Sequence, residues 1–282
     1  MSATTTEAVS RSPGRLAAAV SDGWVLTKRN LLTYVRKPDL LVFSTIQPVM
    51  FVLLFVYVFG GAIEAILPPD VPYVDFLMPG IFVQTAIFSA LQTGVGLAED
   101  LQKGLIDRFK SLPMARSAVL AGRTAADGVA IVFQIVLMFI VAWLVGFRFH
   151  EGVLEFLLAF VGAISIGYAF TWVAAFAGLS LKSVEAVQAA TFTIVFPVVF
   201  ASAAFVPIAS FPSWLQGWAS INPVTIWVDT FRVLSLGELY TENVKYFPDV
   251  SSLGTLLWQS VAWVVAILAL AVPLAIRVYR RT

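Results

Sequence analysis

Residues 97–123 read LAEDLQKGLIDRFKSLPMARSAVLAGR and form the densest block of charge in the chain. On each side of this block lies an apolar run long enough to cross a lipid bilayer. Charged residues make up only 12% of the 282 residues, and hydrophobic residues make up 59%. Soluble domains carry roughly 25% charged residues, so this composition predicts a polytopic membrane protein.

Six stretches of the chain are apolar and long enough to cross a membrane, because a transmembrane helix needs about 20 mostly apolar residues. None of the sequence shows the alternating pattern of β-barrel strands. We therefore predict an all-α integral membrane protein with six transmembrane helices. The predicted spans cover about residues 40–59, 76–97, 119–147, 153–181, 186–206 and 253–276.

The distribution of Lys and Arg predicts the orientation of these spans. Six spans place both termini on one side, and fifteen of the eighteen Lys and Arg residues fall on that side. Cytoplasmic loops are enriched in Lys and Arg, so we expect both termini in the cytoplasm and a multi-pass protein of the cell membrane. The predicted units are a disordered cytoplasmic tail over 1–13, an amphipathic interfacial helix over 14–38 and the transmembrane domain over 39–282.

The composition also limits the partners and the kinds of chemical site expected for this chain. A net charge of +1 gives no indication of a nucleic-acid partner, and the lack of cysteine excludes disulfides, thiolate metal sites and a cysteine nucleophile. The single histidine, His150, lies beside Glu151 in a short loop predicted on the outer side. A lone histidine is neither a catalytic constellation nor a metal site, so we predict no catalytic residue and no metal, and we disfavour an intramembrane enzyme.

The charged block has the periodicity of an amphipathic helix. Pro113 prevents such a helix from continuing. The spacing predicts one helix from 97 to 112, between spans two and three, and leaves two interpretations open: a connector lying on the headgroups, or a docking element for a cytoplasmic partner. Its apolar residues, four, four, four and three apart, are Leu97, Leu101, Leu105, Phe109 and Leu112.

A second amphipathic segment precedes the first span. Residues 15–37 combine Trp24 and other apolar residues with cations that include Arg29 and Arg36. A helix lying in the interface would place the aromatic side in lipid and the cations near anionic headgroups. An ordinary juxtamembrane basic segment would have a similar sequence, so both interpretations stay open.

The segment 206–250, between spans five and six, is too apolar for a free loop and is interrupted by Pro207, Pro212 and Pro223. We predict short re-entrant helices that enter the outer leaflet and return. Tryptophan suits a membrane interface, where the indole N–H stays hydrated, and we expect this position for Trp214, Trp218 and Trp227.

The prolines also predict where these outer helices begin. The first helix would run from about 212 to 220. The second would begin after Asn222-Pro223, because Asn suits the N-cap and Pro suits the first helical position. Asp229 and Arg232, three residues apart, would pair on one face of this second helix, and we expect this pair to serve packing rather than contact with a substrate.

These segments carry recognisable motifs. Glu99-Asp100, Gly104, Arg108, Leu112-Pro113 and Gly122-Arg123 follow the pattern ED…G…R…LP…GR, and residues 202–225 read SAAFVPIASFPSWLQGWASINPVT, followed by Arg232 and Gly237. Asn30-Leu31 and Arg36-x-Pro38 add a third match. Together, over nearly the whole chain, they resemble the membrane subunits of ATP-binding-cassette exporters of the type-2 permease family, and in particular the daunorubicin-resistance-type drug-efflux permeases.

The resemblance implies that the charged block is a coupling helix that contacts an ATPase subunit. It implies two permease chains, identical or related, with two ATPase subunits. The sequence contains no G-x-x-x-x-G-K-[ST] and no GK dipeptide, so ATP and Mg²⁺ would bind to the separate ATPase and this chain would bind no cofactor. The implied coupling residues are Glu99, Asp100, Lys103, Gly104, Arg108, Leu112, Pro113 and Arg116.

Polar residues inside the predicted spans are few, which argues against a proton- or sodium-coupled secondary transporter, since such a carrier needs an intramembrane ionisable relay. We expect export of an apolar or amphiphilic compound, drug-like or lipid-like. Export of a polysaccharide or glycolipid is the alternative within the same family.

Asp127 is expected to pair with Arg123, four residues earlier. Lipid or helix–helix packing is the favoured explanation for each single candidate pathway residue; these candidates are Phe82, Phe88, Phe133, Tyr168 and Trp172.

Overall fold

A computed structural model describes residues 24–32, 36, 38–110, 116–243, 247 and 250–281. Within these residues every regular element is a helix. The tail predicted over 1–13, all other residues before Trp24, and Leu112 and Pro113 lie outside the described residues.

The first helices lead from the N-terminal segment into the first candidate span. Helix α1 covers 24–32, and α2 runs from Pro38 to Leu53. It continues without a break as a π-helical segment, Leu54–Phe59, and as α3, Gly60–Glu64. The remaining helices are α4 Tyr73–Gln102, α5 Leu105–Lys110, α6 Arg116–Val145, α7 Val153–Leu181, α8 Val184–Phe200, a 3₁₀ turn Ile208–Ser210, α9 Ser213–Ile221, α10 Pro223–Leu236, α11 Glu238–Thr241 and α12 Leu253–Arg281.

Five helical stretches of the described chain are long and apolar enough to cross a membrane. They are Thr45–Glu64, Tyr73–Gln102, Leu120–Val145, Val153–Leu181 and Leu253–Arg281. The span predicted over 186–206 is shorter than expected: α8 ends at Phe200 and the chain turns through 201–206. Pro197 lies in the last turn of α8, and the backbone groups after Phe200 are bound by side chains of the following helices, so the helix does not continue.

Helix α4 lies at the centre of the bundle. It is buried over most of its length and packs most extensively against α7, with α6, α8 and α10 around it. Glycines permit the close approach of α4 and α7, because a Cβ on Gly178 would overlap the backbone of Gly94. A helix of 30 residues spans about 45 Å, so α4 connects the two ends of the bundle.

The two ends of the bundle differ in their packing. The main apolar core extends from the middle of the spans to the end at which Tyr73, Phe147 and Leu256 lie. A smaller apolar cluster joins the other ends of α4, α6, α7 and α12 through Leu97, Leu120, Leu179 and Tyr279. We call this second end the basic end, because Lys103, Arg123, Lys182 and Arg280 lie there.

Candidate functional site

The charged block is an elbow rather than one helix. Helix α4 continues to Gln102, the chain turns at Lys103 and Gly104, and α5 then begins at Leu105. Gly104 has φ +65°, a left-handed conformation that glycine adopts without a Cβ penalty, and its N–H donates to the Leu101 carbonyl at 3.0 Å. The prediction of a continuous helix from 97 to 112 is therefore wrong. We refer to residues 97–110 as the elbow.

Three of the described charged side chains of the elbow are exposed: Glu99, Lys103 and Arg108. The Lys103 ammonium lies 2.8 Å from the Glu99 carboxylate, and the two side chains are 63% and 47% exposed. The hydrogen bond to Glu99 raises the pKa of Lys103 above its ordinary value, so Lys103 stays charged. Arg108 on α5 is also exposed. These three predicted coupling residues are accessible to a partner.

The short helix α5 is anchored by a residue that the predicted apolar face did not include. Ile106 is 1% exposed and belongs to the apolar cluster at the basic end, whereas Leu105 is only partly buried. The break at Gly104 rotates α5 relative to α4, and this rotation moves Ile106 inward. Gly104 itself was the sequence signal that could have indicated the break.

Asp100 faces inward, although it is adjacent to Glu99. Its Oδ2 accepts a hydrogen bond from Arg123 NH1 on α6 at 3.1 Å, and Arg123 Nε donates to Asp127 Oδ2 at 3.2 Å. Asp127 Oδ2 also accepts from the Thr93 hydroxyl at 2.7 Å. The predicted Arg123–Asp127 pair is confirmed. The contacts with Asp100 and Thr93 were missed, because they join residues 23 and 34 positions apart.

The N-terminal helix packs beside this ion-pair network. The Thr27 hydroxyl of α1 donates to the Gly122 carbonyl, one residue before Arg123, at 3.2 Å. Leu26 is buried, whereas Trp24 is 66% exposed. Arg29 and Arg36 are also exposed, which fits the two-sided helix expected for this segment.

At the opposite end, α9 and α10 begin where the prolines predicted. Helix α9 starts at Ser213, directly after Pro212, and α10 starts at Pro223 with Asn222 as N-cap. The Asn222 Oδ1 accepts from Val224 N at 2.9 Å, while its Nδ2 donates to the Val198 carbonyl at 2.7 Å and to the Ala201 carbonyl at 3.2 Å. Asn222 therefore caps one helix and holds the end of another.

The Asp229–Arg232 pair is confirmed at 3.3 Å, and it lies within a buried network. Arg232 Nε donates to the Phe76 carbonyl at 3.0 Å, and NH2 donates to the Ala203 carbonyl at 2.6 Å. The Tyr240 hydroxyl donates to Asp229 at 2.8 Å, and burial raises the pKa of Tyr240 well above its ordinary value. Every guanidinium nitrogen has a protein partner, which agrees with a packing role.

The tryptophans of this segment divide into two groups. Trp214 and Trp218 on α9 are 77% and 47% exposed, as an interface position requires. Trp227 is fully buried, and its indole N–H donates to the Ser260 carbonyl at 3.3 Å. The interface position predicted for Trp227 is therefore wrong, because α10 turns this side chain into the bundle against α12. Pro207 is also buried.

A polar groove of about 270 Å³ opens between α2, α4 and α8. The Thr85 hydroxyl is buried in its wall and has no hydrogen-bond partner among the described residues. Of the five candidate pathway residues only Phe88 lines this groove; Phe82 stacks on Phe139 in the core, and Phe133 is 49% exposed on the surface. The polar lining consists of uncharged side chains: Gln47, Thr85, Ser89, Gln92, Gln188 and Thr191.

His150 is held by a carboxylate rather than isolated. Its Nε2 lies 2.9 Å from Asp75 Oδ2, and Asp75 Oδ1 accepts from the Arg148 backbone N–H at 3.0 Å. Across the described part of the chain, no three His, Cys, Asp or Glu side chains are grouped so that they could hold a metal ion. This pair joins the start of α4 to the loop after α6.

The sequence matches known proteins along most of its length. A family model described as "ABC-2 type transporter" matches residues 22–236. The chain is 31% identical over 264 residues to the daunorubicin resistance ABC transporter permease protein DrrB1 of Streptomyces coeruleorubidus, covering 94% of this chain and 88% of that protein. It is 26% identical over 284 residues to the probable doxorubicin resistance ABC transporter permease protein DrrC of Mycobacterium tuberculosis, covering 97% and 95%.

Proposed function

This chain belongs to the ABC-2 type transporter family, and from that premise we propose that it exports an apolar or amphiphilic compound, driven by a separate ATPase. It is the membrane permease subunit, not itself an enzyme. The names of its relatives, which refer to daunorubicin and doxorubicin resistance, favour a drug-like cargo over a polysaccharide or glycolipid. The observation that carries the proposal is the elbow, because it joins an exposed charged surface directly to the central helix α4.

The partner ATPase would supply both ATP and Mg²⁺, since the sequence has no phosphate-binding loop. We propose two ATPase subunits and two permease chains. Glu99, Lys103 and Arg108 would make the polar contacts with the ATPase, because their side chains are exposed. Leu112, Pro113 and Arg116 remain proposed members of the same surface, and nucleic acid is not among the proposed partners.

We propose six transmembrane spans, with α8 as the fifth. Helix α1 contacts Gly122, and Tyr279 near the end of α12 packs with Leu97 and Leu120, so both ends of the described chain lie at the basic end. A chain that begins and ends on one side crosses an even number of times, and α8 together with the five longer apolar stretches brings the number of crossings to six. Its 17 residues span about 25 Å, and Asn222 and Arg232 bind the carbonyls that follow it, as non-helical backbone at membrane depth requires.

The basic end would face the cytoplasm, because cytoplasmic segments are enriched in Lys and Arg. In this orientation α1 would lie in the inner interface, with Trp24 in lipid and Arg29 and Arg36 near headgroups, as part of the unit 14–38. Helices α9 and α10 would be the re-entrant elements of the outer side. The membrane domain would then extend over 39–282, preceded by a cytoplasmic tail over 1–13.

The cargo would pass along the polar groove between α2, α4 and α8. Uncharged amide and hydroxyl groups beside Phe88 and Phe192 suit a molecule with a large apolar surface and a few polar groups. The groove is partly open, and a second permease chain would complete the pathway. Closure of the ATPase dimer on ATP would displace the elbow, and α4 would carry that displacement into the groove wall.

Copurification and transport test this function. The tagged chain is purified with its associated ATPase and reconstituted in proteoliposomes, and ATP-dependent accumulation of doxorubicin and of a fluorescent phospholipid is measured. We expect an ATPase in equal stoichiometry and transport of at least one probe. Transport should disappear when the phosphate-binding lysine of the ATPase is replaced. Recovery of the chain without any ATPase, together with transport that needs no ATP, would contradict the proposal.

A further inference from the structure

The adjacent acidic residues of the elbow have different surroundings. The Glu99 side chain is 47% exposed and pairs within its own helix with Lys103. The Asp100 side chain is 20% exposed and pairs with Arg123 on α6. Adjacent residues of a helix point about 100° apart, and this rotation separates an outward carboxylate that a partner can reach from an inward carboxylate that already joins two helices.

Arg123 forms a bridge between two carboxylates. Its Nε and NH1 donate to Asp127 and Asp100 respectively, and Asp127 in turn accepts from Thr93 on α4. We call these four residues the clamp. The clamp fastens α4 to α6 on both sides of the guanidinium, at the point where α4 leaves the bundle and becomes the elbow.

Gly96 provides the space for the clamp. A Cβ on Gly96 would overlap the Arg123 guanidinium, so the guanidinium lies directly across the α4 backbone at this position. The atoms in conflict belong to the far end of a flexible side chain, and Arg123 could therefore swing away without displacing either helix. An alanine here would open the clamp and change no charge.

The clamp is buried enough to resist disruption. The Asp127 side chain is 5% exposed and the Arg123 side chain 18% exposed. A carboxylate at this depth that loses its cation loses its countercharge, so the ion pair and its hydrogen bonds favour one arrangement of α4 and α6. Packed contacts of this kind transmit motion between helices when the interface has discrete arrangements.

We propose that Asp100 and Arg123 are positioning residues for ATP-driven transport: they hold the elbow to α6, so that displacement of the elbow moves α4 and α6 together. Asp100 then acts through Arg123 and not through contact with the ATPase. This inference rests on the proposed function. It assigns different roles to the two acidic residues of the ED motif, with Glu99 at the partner surface and Asp100 inside the permease.

The test compares two clamp variants with two matched controls. Asp100→Asn removes the charge from the clamp, and Gly96→Ala displaces Arg123 with all charges retained. Glu99→Gln alters the exposed neighbour. Gly128→Ala adds a Cβ to a helical glycine of α6 where it meets Tyr168 at an ordinary 3.6 Å, and it should behave as wild type. For each variant, copurification of the ATPase, ATP hydrolysis and transport are measured in proteoliposomes.

We expect both clamp variants to bind the ATPase and hydrolyse ATP as wild type does, while the amount transported per ATP falls by about tenfold, since mutations along coupling networks change coupling by about two- to thirtyfold. Glu99→Gln should instead weaken ATPase binding. The inference is overturned if Asp100→Asn weakens ATPase binding as Glu99→Gln does, or if transport per ATP is unchanged in Gly96→Ala.

A distance measurement separates positioning from simple stability. Because the chain contains no cysteine, spin labels can be placed at Gln102→Cys and Ala125→Cys, both exposed positions of α4 and α6. With the clamp intact the distance within a chain should be the same with and without trapped ATP. In Asp100→Asn it should change on ATP trapping, and an unchanged distance would contradict the inference. Absence of ATP-dependent transport in the wild type would instead contradict the proposed function.

Discussion

The Arg232 guanidinium lies 3.5 Å from the centre of the Phe76 ring and donates from Nε to the backbone carbonyl of the same residue at 3.0 Å. The two residues are 156 positions apart in sequence. Through this contact α10 holds the start of α4, and the NH2 group of the same arginine holds the turn that follows α8. The start of the central helix is therefore fastened by an arginine, as its basic end is fastened by Arg123.

Replacing Arg232 should strongly destabilise the fold. Arg232→Leu leaves the buried carbonyls of Phe76 and Ala203 without donors and Asp229 without its cation, at a cost of about 3 kcal/mol or more. Arg232→Lys keeps the charge, but lysine cannot reach several carbonyls at once, so the loss of stability should be smaller than for Arg232→Leu. Thermal unfolding in detergent measures both. Arg148→Leu, at an exposed position, is the control and should have the smaller effect.

Asn222 should not tolerate aspartate, although aspartate is an equally good N-cap. Asn222→Asp keeps the acceptor for Val224 N but replaces the Nδ2 donor with an oxygen, which faces the carbonyls of Val198 and Ala201. We expect Asn222→Asp to be at least as destabilising as Asn222→Ala in the same unfolding measurement. A stability close to wild type for Asn222→Asp would show that only the N-cap acceptor contributes to stability and that the Nδ2 donor does not.

The effect of substitutions at Gly104 should depend on the backbone conformation that the new residue can adopt, and not on the size of its side chain. No atom lies within 4 Å of a Cβ built on Gly104, yet its φ is +65°. Gly104→Ala should therefore cost about 1 kcal/mol locally and shift the elbow toward a continuous helix, whereas Gly104→Asn should behave better because Asn adopts this conformation more readily. Copurification of the ATPase with each variant measures the effect. Equal ATPase binding by Gly104→Ala and Gly104→Asn would contradict the explanation that the left-handed backbone conformation at this position causes the effect.

Substitutions in the polar groove should change the apparent affinity for the cargo and leave the ATPase bound and active. Gln188→Leu and Gln92→Leu remove amides from the groove wall. We expect these variants to change the apparent KM for the transported probe while the copurified ATPase remains bound and active. Phe133→Leu alters an exposed residue of α6 outside the groove and should leave the KM unchanged. An unchanged KM in both glutamine variants would place the pathway elsewhere.

Local signals predicted local structure well. Pro212, Asn222 and Pro223 predicted the beginnings of α9 and α10, because capping depends on neighbouring residues only. Pairs three or four residues apart, Asp229–Arg232 and Arg123–Asp127, were also predicted. The single helix over 97–112 was wrong because apolar spacing was given more weight than Gly104, whose left-handed conformation ends α4.

Partners distant in sequence were not predictable in this way. Glu99 and Asp100 are neighbours with the same chemistry. Glu99 pairs with Lys103 four residues later, whereas only the position of α6 decides that Asp100 pairs with Arg123. Likewise three tryptophans of one segment were predicted at the interface, and the packing of α10 against α12 buries Trp227. Helical periodicity indicates that a side chain lies on a face, but not which neighbour that face meets.

The sequence by itself determined the membrane class, the number of apolar segments, the excess of Lys and Arg at one end and the family motifs, because composition and short-range spacing carry that information. The tertiary structure alone decided that α4 is the central helix, that Arg123 and Arg232 fasten its two ends, and that neutral polar side chains from α2, α4 and α8 share one groove. These features depend on which helices approach one another, and glycine contacts between helices such as Gly94 and Gly178 set that approach.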